Sequence, residues 1–424
     1  SYSKMHEYRN PAVVLGGGIT GIGAARSLGR VGVTVYHVEK EETIARYSKY
    51  CNKYLVFCET ERNKNELRNV LLGLQRHVNE APVIFPASDS YALVISDLLD
   101  ELSGYYLPIA RRKVTETLID KRRFYESLMK ENVAYPTTHF PESSEDVKKI
   151  GRQVSYPTFV RPYLSESFVE RFGKKGFVAT SEKELLRNFA LLRRAGVDGM
   201  VQEIVQGLPT NHIFLNGYFD KKSNPKAFFV RRRLRMWPLA FGNSSLCTSV
   251  RASETLSLKE TLFKYLKSIG WHGIFSAEFK MDQLNGVFKL LEINPRTSAW
   301  FSTLSAKCGM NIMLVAYLDA VGRSIPYSED YEAGAKWVCL EDDLGSSILM
   351  LANGDLSIQE WASSLRGKKD HSLYAKDDLR PSVMRLAHLI SRSHRILRRL
   401  EHPRNSESHA IQSIIRVSRD KARA

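Results

Sequence analysis

Ile274-Phe-Ser-Ala-Glu278-Phe-Lys-Met-Asp-Gln-Leu-Asn285-Gly286-Val-Phe-Lys-Leu-Leu-Glu292-Ile-Asn294-Pro-Arg296 decides the fold of this chain. Two apolar runs flank Leu284-Asn285-Gly286, which suits a three-residue hairpin loop with Gly286 in the left-handed position. In that register Glu278 and Glu292 are direct cross-strand partners, because both lie seven residues from Asn285. Side chains alternate between faces, so Glu278, Glu292 and Asn294 point the same way. Two facing carboxylates repel unless a cation sits between them. Mg²⁺ takes oxygen ligands and is commonly shared with nucleotide phosphates, so the three side chains read as a metal site. An exposed hairpin with solvated acids gives no reason for a polar Asn-Pro-Arg directly after an apolar strand.

Upstream, Met200–Ile204, Ile213–Phe219 and Ala227–Arg235 read as further strands of one large antiparallel sheet, with a helix over 255–269. Arg231, Arg233 and Arg235 alternate along their strand and are expected on one face, a crowding of like charge that calls for an anion. Thr117–Asn132 reads as a charged helix carrying Lys121, and Pro136 and Pro141 then break the chain. A strand with Arg161, the stretch Phe172-Gly-Lys-Lys-Gly-Phe177 and a helix over 181–195 suggest a small, mobile α+β lobe. At the start, Pro11–Leu15, a glycine cluster, a helix over Ile22–Arg30 and Val31–Val38 form a βαβ unit. Gly16-x-Gly18-x-x-Gly21 with Glu39 at the end of the second strand satisfies the dinucleotide fingerprint, so the turn alone would suggest an NAD(P)-dependent oxidoreductase. Ala81–Pro86 reads as a strand and Asp89–Leu102 as a helix of the same layered domain, which closes near residue 115.

A length of 424 residues implies several domains, and 43% hydrophobic with 25% charged residues excludes wholesale disorder. No apolar stretch approaches a membrane span, and the opening Ser-Tyr-Ser-Lys-Met-His-Glu-Tyr lacks the apolar core of a signal peptide, so a cytoplasmic protein is expected. Five scattered cysteines show no zinc or redox spacing and read as reduced thiols, and neither His212 nor His272 has ligand spacing to another His or Cys. The net charge of +16 favours anionic partners. Eleven Lys/Arg against three acids between Leu379 and Ala424 supply +8, half of it. There Val383, Leu386, Ile390, Leu397 and Leu400 recur at near-helical spacing among arginines, which suits a helix docked by its apolar stripe. The same tail leaves contact with a nucleic acid, another anionic polymer or a membrane surface open.

The hairpin and its Glu-x-Asn-Pro-Arg end resemble the ATP-grasp superfamily, specifically its carboxylate–amine ligase branch related to carbamoyl phosphate synthase and biotin carboxylase. The resemblance runs over about residues 11–325. It implies ATP and Mg²⁺, the metal on Glu278, Glu292 and Asn294, and Arg296 steadying an acyl phosphate or substrate, with Arg233 and Arg235 bordering the same place. Lys121, Arg161 and the glycine-loop cations Lys174 and Lys175 fall to the phosphates. Arg161 stands where the family usually has Lys, keeping the charge and adding a fork. Gln202, Glu203, Ile204 and Val205 resemble the adenine-receiving hinge, with Asn211 a ribose candidate. The implied architecture is α/β and α+β: a Rossmann-like domain at 1–115, a small ATP-grasp lobe at 116–198, a large lobe at 199–330 and a C-terminal extension with a basic helical tail at 331–424. In such a protein the glycine turn, with Phe85-Pro-Ala-Ser-Asp89, helps bind the acceptor rather than a dinucleotide. The implied reaction is ADP-forming ligation of a small carboxylate and an amine through an acyl phosphate, with room for a homo-oligomer.

Overall fold

Three sheets organise residues 8–57 and 65–400, which the computed structural model describes. The first contains β1 (Ala12–Leu15), β2 (Val35–Glu39), β3 (Lys53–Val56) and β4 (Val83–Pro86), parallel, in the order β3-β2-β1-β4. β1 and β4 are buried throughout, as continuous apolar runs are at the centre of a parallel sheet. Helix Gly18–Gly29 makes the crossover from β1 to β2. Its Gly21 lies so close to the preceding turn that a Cβ there would stand 2.5 Å from the Gly16 carbonyl oxygen. Two helices, Arg112–Ile119 and Lys121–Lys130, replace the single one expected over Thr117–Asn132. The break falls at Asp120, whose extended backbone frees its side chain to accept from the Arg123 amide and cap the second helix.

The second sheet contains β5 (Thr138–His139), β6 (Thr158–Pro162), β7 (Phe177–Ala179) and β8 (Gly199–Glu203), antiparallel, in the order β5-β8-β6-β7. Val147, Leu185, Phe189 and Leu192 from its helices close over Val160 and Val201. The expectation that Met200–Ile204 belongs to the large sheet is therefore corrected. Val201 pairs with Val160 and both are fully buried in this lobe, so the small sheet extends past residue 199.

The third sheet, of seven strands, runs β13-β12-β9-β10-β11-β14-β15, where β9 is His212–Phe219, β10 Pro225–Trp237, β11 Asn243–Val250, β12 Gly273–Met281, β13 Phe288–Asn294, β14 Lys336–Val338 and β15 Lys369–His371. All neighbours are antiparallel except β14 and β15. Helix Leu256–Ser268 covers one face, its Phe263 meeting Phe219 and Phe228 edge to face at 5.2 and 5.3 Å. β14 and β15 come from the stretch expected to be a separate extension from residue 331. That boundary is corrected, because the sheet continues into it and buries Trp337. Asp378 then reaches back to the first domain, accepting from Arg26 at 3.0 Å and Ser48 at 2.7 Å in a buried cluster.

Helix Arg380–Leu400 leaves from that anchor. It meets the body by charge, Arg385 gripping Glu341 at 2.8 and 3.1 Å, while Val383, Leu386 and Ile390 are about 60% exposed. Docking by an apolar stripe is thus overturned for these residues, while the side chains of Leu397, Leu400 and the basic residues from Arg392 onward lie outside the described ones. Cys51, Cys247, Cys308 and Cys339 are free thiols, as expected, and Cys58 is outside the described residues. Among the described residues no helix is long and apolar enough to cross a membrane.

Candidate active site

Strand pairing sets Glu278 directly opposite Glu292 and Ser276 opposite Asn294. The hairpin reaches that register by another route than the sequence suggested. The last pair is Met281 and Phe288, so the connection is longer than three residues, with the Gly286 amide on the Asp282 carbonyl at 2.8 Å and φ of +72° at Gly286. An extra residue, Leu291, then bulges between the turn and the acids and restores their alignment.

Glu278 accepts from His212 Nδ1 at 2.7 Å and from Arg233 at 3.2 Å. Glu292 accepts from Lys121 Nζ at 3.3 Å on one oxygen and from Asn294 Nδ2 at 3.3 Å on the other. Burial alone would raise both carboxyls. For Glu278 Arg233 and the His212 hydrogen bond outweigh it, and for Glu292 Lys121 does so despite the repulsion of Glu278, so both stand below the usual range and are ionised at neutral pH. Among the described residues no three His, Cys, Asp or Glu gather as a metal cluster. Two ionised carboxylates with a neighbouring amide form a hard oxygen set, which fits Mg²⁺ and not a softer transition metal.

These acids stand where two cavities meet. The first, about 530 Å³, lies between the small lobe and the large sheet and is lined by Gln202, Glu203, Ile204 and Val205, by Phe159, Leu208 and Leu291, and by Lys280. The Glu203 carboxylate is already engaged by the Thr137 amide at 2.8 Å and by Lys289 at 2.5 Å, so this hinge offers an incoming base its backbone edge. The second cavity, about 390 Å³, is lined by Lys121, Asn294, Arg296, Arg231 and residues of the first domain and of helix Ser165–Phe172. Arg161, Lys175, Arg233, Glu278 and Glu292 line both. Arg161 is held by Gln202 at 3.3 Å. Lys175 comes off the glycine loop, where Gly173 at φ +68° ends helix Ser165–Phe172, and reaches Asn243 on β11 at 3.0 Å. Burial lowers its pKa, with Glu292 and Glu278 opposing.

Three expected residues stand elsewhere. Arg235 was expected beside Arg233, but the pairing of β10 with β11 shifts on both sides of it, which breaks the alternation. Its guanidinium forms a buried two-point ion pair with Asp343 at 2.7 and 2.8 Å and lines neither cavity. Asn211 donates to the Met281 carbonyl at 3.2 Å and braces the hairpin from outside both cavities. Lys174 stands over the Phe177 ring at 4.6 Å, leaving Lys175 as the inward lysine. Arg296 is where it was expected, in the second cavity, with its Nε on Asp89 at 2.8 Å.

Sequence reasoning missed His212 and Lys280. The search for histidines used metal-ligand spacing, whereas His212 is a hydrogen-bonding partner of an acid, pushed down to about 3 by burial and then by Arg233. Lys280 lies two residues from Glu278 on the same strand, so alternation alone would have placed it in the cleft. It donates to the Val205 carbonyl at 2.7 Å and is pushed down to about 8 by burial and then by Arg233.

The glycine turn is closed by its own chain. The Gly17 amide donates to Glu39 at 2.8 Å, the Gly18 amide to Thr43 at 3.1 Å, and Tyr91 holds the other Glu39 oxygen at 2.5 Å. The amides that would cradle a pyrophosphate are thus spent, Gly17 on a carboxylate and Gly18 on a hydroxyl, which removes the main support for a nicotinamide enzyme.

No protein-family model matches the chain. Over 327 residues it is 26% identical to D-aspartate ligase of Enterococcus faecium, covering 71% of this chain and 74% of that one. Over 248 residues it is 22% identical to the carbamoyl phosphate synthase large chain of Saccharolobus islandicus, covering 57% of this chain and only 23% of that much longer relative. In structure it resembles the biotin carboxylase domain of Hydrogenobacter thermophilus 2-oxoglutarate carboxylase, solved with MgADP and bicarbonate, at a TM-score of 0.61 and 17% identity over 77% of this chain and 73% of that one. N5-carboxyaminoimidazole synthetase of Staphylococcus aureus gives 0.60 and 18% over 77% and 81%. At such identities the structural likeness is one of fold. Together they show a chain similar to the ATP-grasp ligases in fold and, in sequence, to carboxylate–amine enzymes among them.

Proposed function

We propose that the chain joins a substrate carboxylate to an amine through an acyl phosphate, consuming ATP and releasing ADP and phosphate. The observation that carries this reading is the meeting of two cavities at one pair of ionised acids, Glu278 and Glu292. A nucleotide lying in the first cavity, its base on the backbone of Gln202–Val205, would bring its terminal phosphate to that junction. A carboxylate in the second cavity would face it from the other side. Mg²⁺ held by Glu278, Glu292 and Asn294 would offset phosphate charge.

The chain's own groups do the rest by position and charge. Arg161 and Lys175 flank the transferred phosphoryl group. A carboxylate oxygen attacks the γ-phosphorus, the bond to the bridging oxygen breaks, and ADP leaves. The amine then attacks the acyl carbon, the bond to phosphate breaks, and the nitrogen gives up its proton. Arg233 and Arg296 receive the charge that collects on the acyl phosphate, and Asp89 and Glu278 hold those two guanidiniums in place. The glycine loop, drawn in by Lys175 on Asn243, keeps water from the acyl phosphate. None of the described residues of helix Arg380–Leu400 lines either cavity, so the reading does not depend on the basic tail.

Replacing Glu292 by Gln tests it, because the change keeps shape and removes a metal-binding charge. Mg²⁺-dependent ADP release should fall by about a hundredfold or more while the circular dichroism spectrum is retained. Wild-type turnover in a folded Glu292→Gln protein would sink the assignment.

A further inference from the structure

Helix Arg380–Leu400 turns an apolar row to solvent. Val383, Leu386 and Ile390 are 61%, 59% and 64% exposed, and at about 3.6 residues per turn they fall within an arc of about 60°. Arg380 and Arg385 stand on the two sides of that row, and the sequence of the helix contains six arginines and neither Asp nor Glu. It is held to the body at its start, where Pro381 is buried and Arg385 meets Glu341 at 2.8 Å. An exposed apolar row among cations calls for a partner that is apolar within and anionic at its rim.

We infer that this helix lies along an anionic lipid surface, with Val383, Leu386 and Ile390 dipping among the acyl chains and the arginines meeting lipid phosphates. Apolar insertion and attraction to anionic headgroups act together in such binding, and long arginine stems reach from the apolar edge to the headgroups. Charge decides against the other occupants. A second copy laid along the row would set the arginines against the same arginines. Residues 401–424 contain five Lys/Arg against three acids, so they add positive charge instead of matching it. A nucleic acid would meet the arginines and leave the apolar row in water. The inference is independent of the ligase reading, since none of the described residues of this helix lines either cavity.

The test is flotation of the full chain with lipid vesicles in low salt. Vesicles of phosphatidylcholine and phosphatidylglycerol in equal parts should carry it, and pure phosphatidylcholine should bind it about tenfold more weakly or worse, the scale of a few lost headgroup contacts. Replacing Leu386 and Ile390 together by Gln keeps net charge and helix propensity while removing most of the apolar row. That variant should keep the wild-type Tm and bind the mixed vesicles about tenfold more weakly or worse. The inference is overturned if the full chain does not float, or if pure phosphatidylcholine carries it equally well. It is overturned also if the Leu386→Gln, Ile390→Gln protein floats like wild type, because charge alone would then hold the helix as it would on any polyanion. A wild-type dimer in sedimentation velocity that the same two substitutions dissolve, without vesicle binding, would give the face to a second copy and overturn it too.

Discussion

Arg233 and Arg235 stand two residues apart on one strand and do different work. Arg233 faces the acids, while Arg235 is spent on Asp343, with both members of that pair at most 4% exposed. Removing one partner of a buried ion pair strands the other charge, at a cost of about 3–5 kcal/mol. Arg235→Gln should therefore lower stability by that order in urea titration, while the ATP KM of the folded fraction stays within about twofold. Arg233→Gln should instead lose turnover. Equal effects of the two substitutions on the ATP KM would show that both face the nucleotide. Alternation made Glu292 and Asn294 legible, because their end of the strand is regular, whereas the pairing of Glu278 with Glu292 came out as expected only because the bulge at Leu291 offsets the longer turn. Alternation misplaced Arg235, because a register shift depends on what the neighbouring strand does and leaves no mark in the shifted strand's own sequence.

Elements show the same divide. The βαβ start, the small-lobe helix Glu182–Arg194 and the hairpin of Glu278 and Glu292 were readable from long apolar or periodic runs, while helices Ser144–Gly151 and Ser165–Phe172 were not read. β14 and β15 are three residues each, too short for any period to register, so the sheet's continuation past residue 330 went unseen. A physical consequence follows for truncation. Deleting 331–424 would expose the edge of β11, remove Trp337 from the core, and leave Arg26 and Arg235 without Asp378 and Asp343. The shortened chain should be insoluble or should unfold many degrees below the full one in a thermal melt. A soluble truncated protein with unchanged Tm and Mg-ADP affinity would restore the separate extension that the sequence suggested.

Across the whole molecule, the +16 charge was legible, but which titrating groups are buried without charge was not, since that follows from tertiary enclosure. His37 is fully enclosed beneath the glycine-turn helix, bonded to the Gly21 carbonyl at 3.2 Å, and burial pushes it down to about 4 against that bond. His212 is pushed down to about 3 in the cleft. Both are neutral in the folded chain at pH 7, whereas the unfolded chain takes up protons near its ordinary value of about 6.5. Depressed folded values mean stability that is complete above about 6.5 and is lost as pH falls toward the folded values. The linkage slope of about 1.4 kcal/mol per pH unit gives a loss of about 2 kcal/mol per histidine between pH 7 and 5. Glu278 and Glu292, also held low, begin to lose their contribution only below the ordinary carboxylate range, so the window from about 6.5 to 4.5 belongs to the histidines. His272 is likewise pushed down to about 4 by burial, so urea titrations at pH 7 and 5 should differ by about 6 kcal/mol from the three groups, and His37→Gln, which can still donate to Gly21, should remove about a third of that difference. Equal stability at the two pH values, or an undiminished difference in His37→Gln, would mean that these imidazoles are charged or solvated in the fold.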